Sequence, residues 1–162
     1  ARMMIAGESP HYIFRRVLRT SYEDIGLADL KAQEVCLNAW STFERLGSPE
    51  GDIALAQAVI YLALAAKSNS SYSAYSKASQ TAFKTSTLLP AEHLKMNKFT
   101  KDASELGSYN DDYQTFERFS RQEFLPDQLA KSKFYVPVDR GQERELVKKL
   151  KYFNRLRKEK HL

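Results

Sequence analysis

Ile53-Ala54-Leu55-Ala56-Gln57-Ala58-Val59-Ile60-Tyr61-Leu62-Ala63-Leu64-Ala65-Ala66 contains a single strongly polar side chain, Gln57. The run has neither glycine nor proline and is rich in alanine, the best helix former, so it reads as a helix. It stops short of the roughly 18 apolar residues that would suggest a membrane span. A helix that is apolar on nearly every face is expected at the centre of a bundle, surrounded by others, and its alanines let those neighbours approach closely.

Upstream, Ser48-Pro49-Glu50 gives this helix a start signal, with Glu50 in the first turn where a negative charge suits the helix dipole. Gly47 ends the preceding helix, whose stripe of Ala32, Val35, Cys36, Ala39, Trp40 and Phe43 repeats at intervals of three and four. Asp29 is placed to cap it, and Gly26 closes the segment before. That earlier segment opens at Ser9-Pro10 and carries Ile13, Phe14, Val17, Leu18 and Tyr22 at helical spacing. Downstream, Lys67-Ser68-Asn69 breaks the apolar run and recaps a fourth helix through Tyr72, Tyr75, Ala78, Ala82 and Phe83.

Beyond Pro90 the periodicity weakens. Phe99 to Leu106, closed by Gly107, reads as a short helix, and Ser108 to Tyr113 as a turn. Phe124-Leu125-Pro126-Asp127 reads as a turn entering a short helical piece, and Phe134-Tyr135-Val136-Pro137 as extended chain, because a residue before proline is pushed out of the α region. From Gly141, Leu146, Val147, Leu150, Phe153 and Leu156 mark a final amphipathic helix. There is no internal repeat and no strand pattern longer than a few residues. The expected class is all-α. One domain fills 1–162, with a four-helix core over 9–87, a loop-rich stretch with short helices over 88–140, and a basic amphipathic helix over 141–162.

Composition agrees. The chain's 162 residues, 43% of them hydrophobic, suffice for one domain with an ordinary core. Its 11 Gly and Pro residues are too few for a β-rich or linker-rich chain. Cys36 is the only cysteine, which excludes an internal disulfide and a thiolate metal cage and suits a reducing compartment. The formal charge of +5 is not spread evenly. Up to Gly141 there are 17 basic and 17 acidic residues; from Gln142 onward eight basic residues face three acidic ones. The excess belongs to the tail helix. The opening Ala1-Arg2 reads as the cut end of a longer protein rather than a signal peptide.

No catalytic constellation emerges. The chain has no G-x-x-x-x-G-K-[ST] loop and no G-x-G-x-x-G, so the usual phosphate cradles are absent. His11, His93 and His161 are far apart and have no ligand partners at helical spacing. Glu23 and Asp24 are adjacent carboxylates, but neighbouring helix positions do not face each other, and Arg19 to Glu23 is a natural i,i+4 ion pair. Ser21 and the serines of 68–79 have no histidine base near them and read as caps and solvated positions.

Two basic features point toward phosphate. Arg15, Arg16 and Arg19, with Arg2 nearby, form a patch on the first helix, although Glu8, Glu23 and Asp24 are close enough to neutralise it. On the tail helix Lys148, Lys151 and Arg155 share one side, with Lys149 beside them; an ordinary solvated face is the plainer account. If about four such charges met phosphates, affinity would fall about a hundredfold between 50 and 200 mM salt, with no sequence preference. Aromatic residues also continue into the less regular half as Phe116, Phe119, Phe124, Phe134 and Tyr135. They either close the core or, as at Phe124, Phe134 and Tyr135, contact another copy of the chain.

Phe43-Glu44-Arg45-Leu46-Gly47-Ser48-Pro49-Glu50-Gly51, followed by Ala54 to Ala63 and Lys67-Ser68-Asn69, resembles the C-terminal domain of the replication-associated recombination protein A family. This is an AAA+ family also called maintenance of genome stability protein A, which includes the eukaryotic Werner helicase-interacting ATPase. Arg15-Arg16, Ser21 to Asp29, Leu125-Pro126-Asp127, Phe134 to Pro137 and Arg140-Gly141 fit the same pattern. Ala66 departs from the family's usual proline, and the stretch from His93 to Phe119 lacks its usual tyrosine- and histidine-bearing segment. The resemblance implies a helical bundle similar to the collar domains of clamp loaders, which joins subunits into a homotetramer. It also implies action at stalled replication forks and DNA ends, and association with single-stranded DNA-binding protein. ATP and magnesium would bind in an N-terminal Walker module outside this chain. The implied location is the cytoplasm, at the nucleoid, in a bacterium, or the nucleus in a eukaryote.

Overall fold

The structure, a computed structural model, describes residues 1–91, 94, 118–119 and 122–158. The expected helix at Phe99–Leu106, the turn at Ser108–Tyr113, and Phe116, His93 and His161 lie outside the described residues.

Among the described residues the chain is helical and has no strand. The α-helices are α1 (Arg2–Ile5), α2 (Pro10–Thr20), α3 (Lys31–Leu46), α4 (Asp52–Leu64), α5 (Ser70–Lys84) and α6 (Glu143–Lys158). Pro10 occupies the first turn of α2, where its missing N–H costs nothing. Past Thr20 the helix widens into a π turn, Ser21–Ile25, and then tightens into a 3-10 turn, Gly26–Ala28. Ser21, expected at a solvated position, is instead buried, and its hydroxyl donates to the Leu18 carbonyl at 2.7 Å. That bond satisfies the hydroxyl inside the core.

Asp29 caps α3 as its sequence position suggests, accepting from the Lys31 N–H at 3.1 Å, while its other oxygen accepts from the Tyr61 hydroxyl at 2.9 Å. The stripe on α3 points inward: Ala32, Cys36, Ala39 and Phe43 are buried. At Gly47 the chain turns left-handed (φ +69°) and its N–H donates to the Phe43 carbonyl at 2.7 Å. The next helix starts later than Ser48-Pro49-Glu50 suggests. Residues 48–51 form a turn, and Asp52, not Glu50, supplies the acidic side chain of the first turn of α4. Ser48 spans that turn, its hydroxyl 2.9 Å from each Asp52 carboxylate oxygen.

The core has two clusters. Ile13, Phe14, Ala39, Phe43, Leu55 and Ala58 form one, with Phe14 stacked on Trp40 at 5.8 Å between ring centroids. Ile25, Ala32, Cys36 and Leu62 form the other. Burial pushes the Cys36 thiol up, partly opposed by a hydrogen bond with Ser21, so the sulfur is an inert packing atom. Both clusters are built by α2, α3, α4 and the turns after α2, with α3 and α4 the most extensively packed pair.

Two expectations about this core are overturned. Burial on α4 is confined to Leu55, Ala58 and Leu62, so the helix is not surrounded. Of α5 only Ser70 is buried, and Tyr72, Tyr75 and Phe83 stand exposed, so it is not an equal fourth member of the bundle. The physical reason is the same for both. The helices that pack here cover one side of α4, and α5 meets the body mainly at the Gly26–Ala28 turn.

Two glycines allow distant segments to meet closely, and one of them ties the second half to the first. Gly26 (φ +50°) lies against the Ser68 carbonyl, where an added Cβ would sit 2.8 Å from the oxygen. Gly141 (φ +50°) presses on Ala28, and the neighbouring Gln142 N–H donates to the Ala28 carbonyl at 2.8 Å. A side chain would block both close approaches.

Candidate functional site

The outward side of α4 is the first candidate surface. Ile53, Ile60 and Leu64 are 74%, 61% and 83% exposed, and Val59 is also open. Ile53, Val59 and Ile60 of this side, with Met3 and Ile5 of α1 and Val17 of α2, line an open, mostly apolar groove of about 1170 Å³. Ile53, Ala56, Ile60 and Ala63 follow one another at spacings of three, four and three, large alternating with small. That is the pattern of a seam accepting a second helix. Lys67 closes the end of the groove, its Nζ donating to the Leu62 and Ala65 carbonyls at 2.8 and 2.5 Å and so capping α4.

Phe124, Phe134 and Tyr135, expected from sequence at an intermolecular contact, lie away from α4 in sequence, on the segment leading to α6. Phe124 is exposed, Phe134 half-buried, and Tyr135 is tied into the chain's own interior. Its hydroxyl donates to Glu143 Oε1 at 2.8 Å, and the Ser70 hydroxyl donates to the same oxygen at 2.5 Å. Ser68 backs Ser70, accepting from its N–H at 3.3 Å. Ser68 therefore caps α5, as expected, but both serines are buried rather than solvated. Glu143 is fully buried, and its Oε2 has no partner within hydrogen-bond geometry. Burial pushes its carboxyl up, yet the hydroxyls of Ser70 and Tyr135 that donate to it, with Ser68 close behind, outweigh that and hold it below the usual range. The Tyr135 hydroxyl is pushed up to about 12, by burial first and then by Glu143. This buried clasp escaped the sequence reading, because a glutamate at the start of an amphipathic helix looks like a solvated, dipole-matching residue.

The basic residues sit on the surface. Arg19 pairs with Glu23 as the i,i+4 spacing predicts, while Arg15 and Arg16 are exposed on α2 and Arg16 borders the groove. The hydrogen bond to Glu23 raises the Arg19 pKa and correspondingly lowers that of Glu23. On α6, Lys148, Lys149, Lys151 and Arg155 are exposed. Lys148 pairs with Glu145 at 2.8 Å, and the Arg155 guanidinium lies over the Tyr152 ring at 5.6 Å. Among the described residues no group of three or more His, Cys, Asp or Glu could hold a metal ion.

Comparison with known proteins accords with this picture. Residues 1–154 match the family model described as MgsA AAA+ ATPase C terminal. The chain is 40% identical to the replication-associated recombination protein A of Coxiella burnetii, over 96% of this chain and 36% of that protein. It is 36% identical to the protein of the same name in Escherichia coli K12, over 93% of the chain and 34% of the relative. In Bacillus subtilis the figures are 37%, 99% and 38%. The chain thus spans about a third of the length of these relatives. A chain whose described residues hold helices and no strand, whose sequence has no Walker loop, and which matches this model over residues 1–154 belongs to the C-terminal domain family of the MgsA AAA+ ATPases.

Proposed function

We propose that the chain is the oligomerisation and scaffold domain of a AAA+ ATPase that acts in replication-fork maintenance and recombination. It holds the ATPase modules of a homotetramer in fixed geometry, in the manner of a clamp-loader collar. ATP and magnesium act in the ATPase module, while DNA at forks and single-stranded DNA-binding protein are partners of the full-length protein. The names of the relatives support the setting. The observation that carries the reading is the exposed apolar side of α4.

A face of this kind is unusual on a chain that stays single. Burying Ile53, Ile60 and Leu64 would contribute roughly 5–9 kcal/mol, at about 1.5–3 each. Association itself costs about 4–15 kcal/mol, so the α1 and Val59 contacts are needed as well. The occupant that fits is a second copy, whose own α4 brings the same alternation of isoleucine and alanine to a self-complementary seam. The exposed aromatics of α5, Tyr72, Tyr75 and Phe83, supply the second contact that an assembly larger than a dimer requires.

Light scattering behind a sizing column tests this. At tens of micromolar the chain is expected to elute as an oligomer. Ile60→Glu, which places a charge in the seam, is expected to shift it to a smaller species while far-ultraviolet circular dichroism stays unchanged. A monomeric parent chain at that concentration would overturn the reading.

The basic face of α6, together with the Arg15–Arg19 patch, supports a second role in non-sequence-specific DNA contact. The observation favouring it is the exposure of Arg15, Arg16, Lys148, Lys149, Lys151 and Arg155 on an otherwise charge-balanced chain.

A further inference from the structure

The outer half of α6 combines charge with open aromatic rings. From Glu143 to Lys158 there are seven basic residues against Glu143 and Glu145. Glu143 is turned into the interior, which leaves Glu145, paired with Lys148, as the acidic side chain on the helix surface. That exposed pair is worth at most about 1 kcal/mol and gives way readily to a phosphate.

Among these cations the aromatic rings form a continuous chain. Arg155 lies 5.6 Å over Tyr152, Tyr152 meets Phe153 edge-on at 5.5 Å, Phe153 packs on Phe119 at 4.9 Å, and Arg157 lies 5.5 Å over Phe119. Tyr152 and Phe153 are nevertheless 45% and 37% exposed, although aromatic residues on a helix flank are ordinarily covered. Both arginines sit near the outer limit of about 6 Å for a cation over a ring, so these ring contacts are loose.

We infer that α6 is a binding platform for single-stranded nucleic acid, in which the lysines and arginines follow the phosphates and the exposed ring of Tyr152 stacks with an unpaired base. The inference rests on the reading of α6 as a polyanion-binding face and adds the class of polyanion to it. The charge calls for a polyanion, and the rings select among polyanions. A duplex keeps its base faces inside the stack, whereas a single strand offers a π face at every nucleotide. The sequence carries no base-reading motif, so the preference is expected to be for strandedness rather than sequence.

Fluorescence anisotropy with a labelled thirty-nucleotide oligo(dT) and a thirty-base-pair duplex, at 50 and 200 mM salt, tests this on the chain as it stands. Oligo(dT) is expected to bind at least tenfold more tightly than the duplex. With about four phosphates neutralised, its affinity is expected to fall about fifty-fold across that salt range. Tyr152→Leu, at an exposed position, is expected to cost about tenfold toward oligo(dT) and nothing toward the duplex, with Tyr152→Phe restoring the parent affinity. Lys148→Glu with Lys151→Glu is expected to weaken both. Equal affinities for the two ligands, or a Tyr152→Leu variant indistinguishable from its parent, would overturn the stacking platform while leaving the polyanion face standing. No binding to either ligand at 50 mM salt would overturn both.

Discussion

Glu143 opens α6 with its carboxylate turned inward, and its neighbours explain why it is tolerated there. A buried carboxylate without donors would cost several kcal/mol; here the hydroxyls of Ser70 and Tyr135 converge on one of its oxygens. The three side chains come from the start of α5, the extended segment and the start of α6, so one ion fastens three parts of the chain. Because its folded pKa lies below its value of 4.5 in the unfolded chain, the stabilisation from Glu143 is present above that pH and is lost as pH falls through the folded value. Tyr135 acts in the opposite sense. Its folded pKa of about 12 exceeds the unfolded 10.0, so its contribution is present below pH 10 and is lost as pH rises toward 12. Glu143→Gln is expected to lower the unfolding free energy by about 1.5–3 kcal/mol at pH 7, read by urea titration. The deficit should shrink as pH falls below 4.5 and on through the lower value of the folded carboxyl, where the parent is protonated as well; a deficit that stays constant throughout the acid range would show that lost packing, not charge, is responsible.

At the scale of the element, α4 separates two tasks on one helix. Leu55 fills the cluster shared with Phe14 and Phe43, so Leu55→Ala is expected to cost about 2–5 kcal/mol of stability by opening a cavity. Ile53, two residues earlier, points outward, and Ile53→Ala is expected to change the stability of the single chain by less than about 0.5 kcal/mol while weakening self-association. Denaturation at low protein concentration, set beside sedimentation at high concentration, separates the two effects; a large stability loss for Ile53→Ala would mean that this side is packed after all. The existence of the helices was legible because their signals are local. Pro10 begins α2, Asp29 caps α3, Gly47 ends it, and the stripe Ala32, Cys36, Ala39, Phe43 points to its buried side. The start of α4 was not legible, because a serine bridging to Asp52 across a turn looks the same in sequence as a serine capping at Pro49. The buried side of α4 was not legible either. A helix apolar all round has no preferred direction in its own pattern, and its partners decide which side is covered.

For the molecule as a whole, the exposed apolar face of α4 implies that stability and assembly are linked. A species that binds only to the folded chain, including another copy, raises apparent stability by mass action. The urea midpoint of the parent chain is therefore expected to rise with protein concentration, by about 2–3 kcal/mol of apparent stability over a hundredfold range, and that of Ile60→Glu to stay constant. A parent midpoint independent of concentration would separate folding from assembly. The sequence by itself determined the all-α class, most of the helix boundaries, the lack of a phosphate loop and the concentration of positive charge in the tail, since each depends on residue type and local spacing. Only the tertiary structure decided that α4 keeps one side open, that Tyr135 turns inward, and that a glutamate on a basic helix is the buried ion joining the two halves. Those outcomes depend on which distant segments come together around a side chain, and that information is carried by packing between elements, not by the spacing within any one of them.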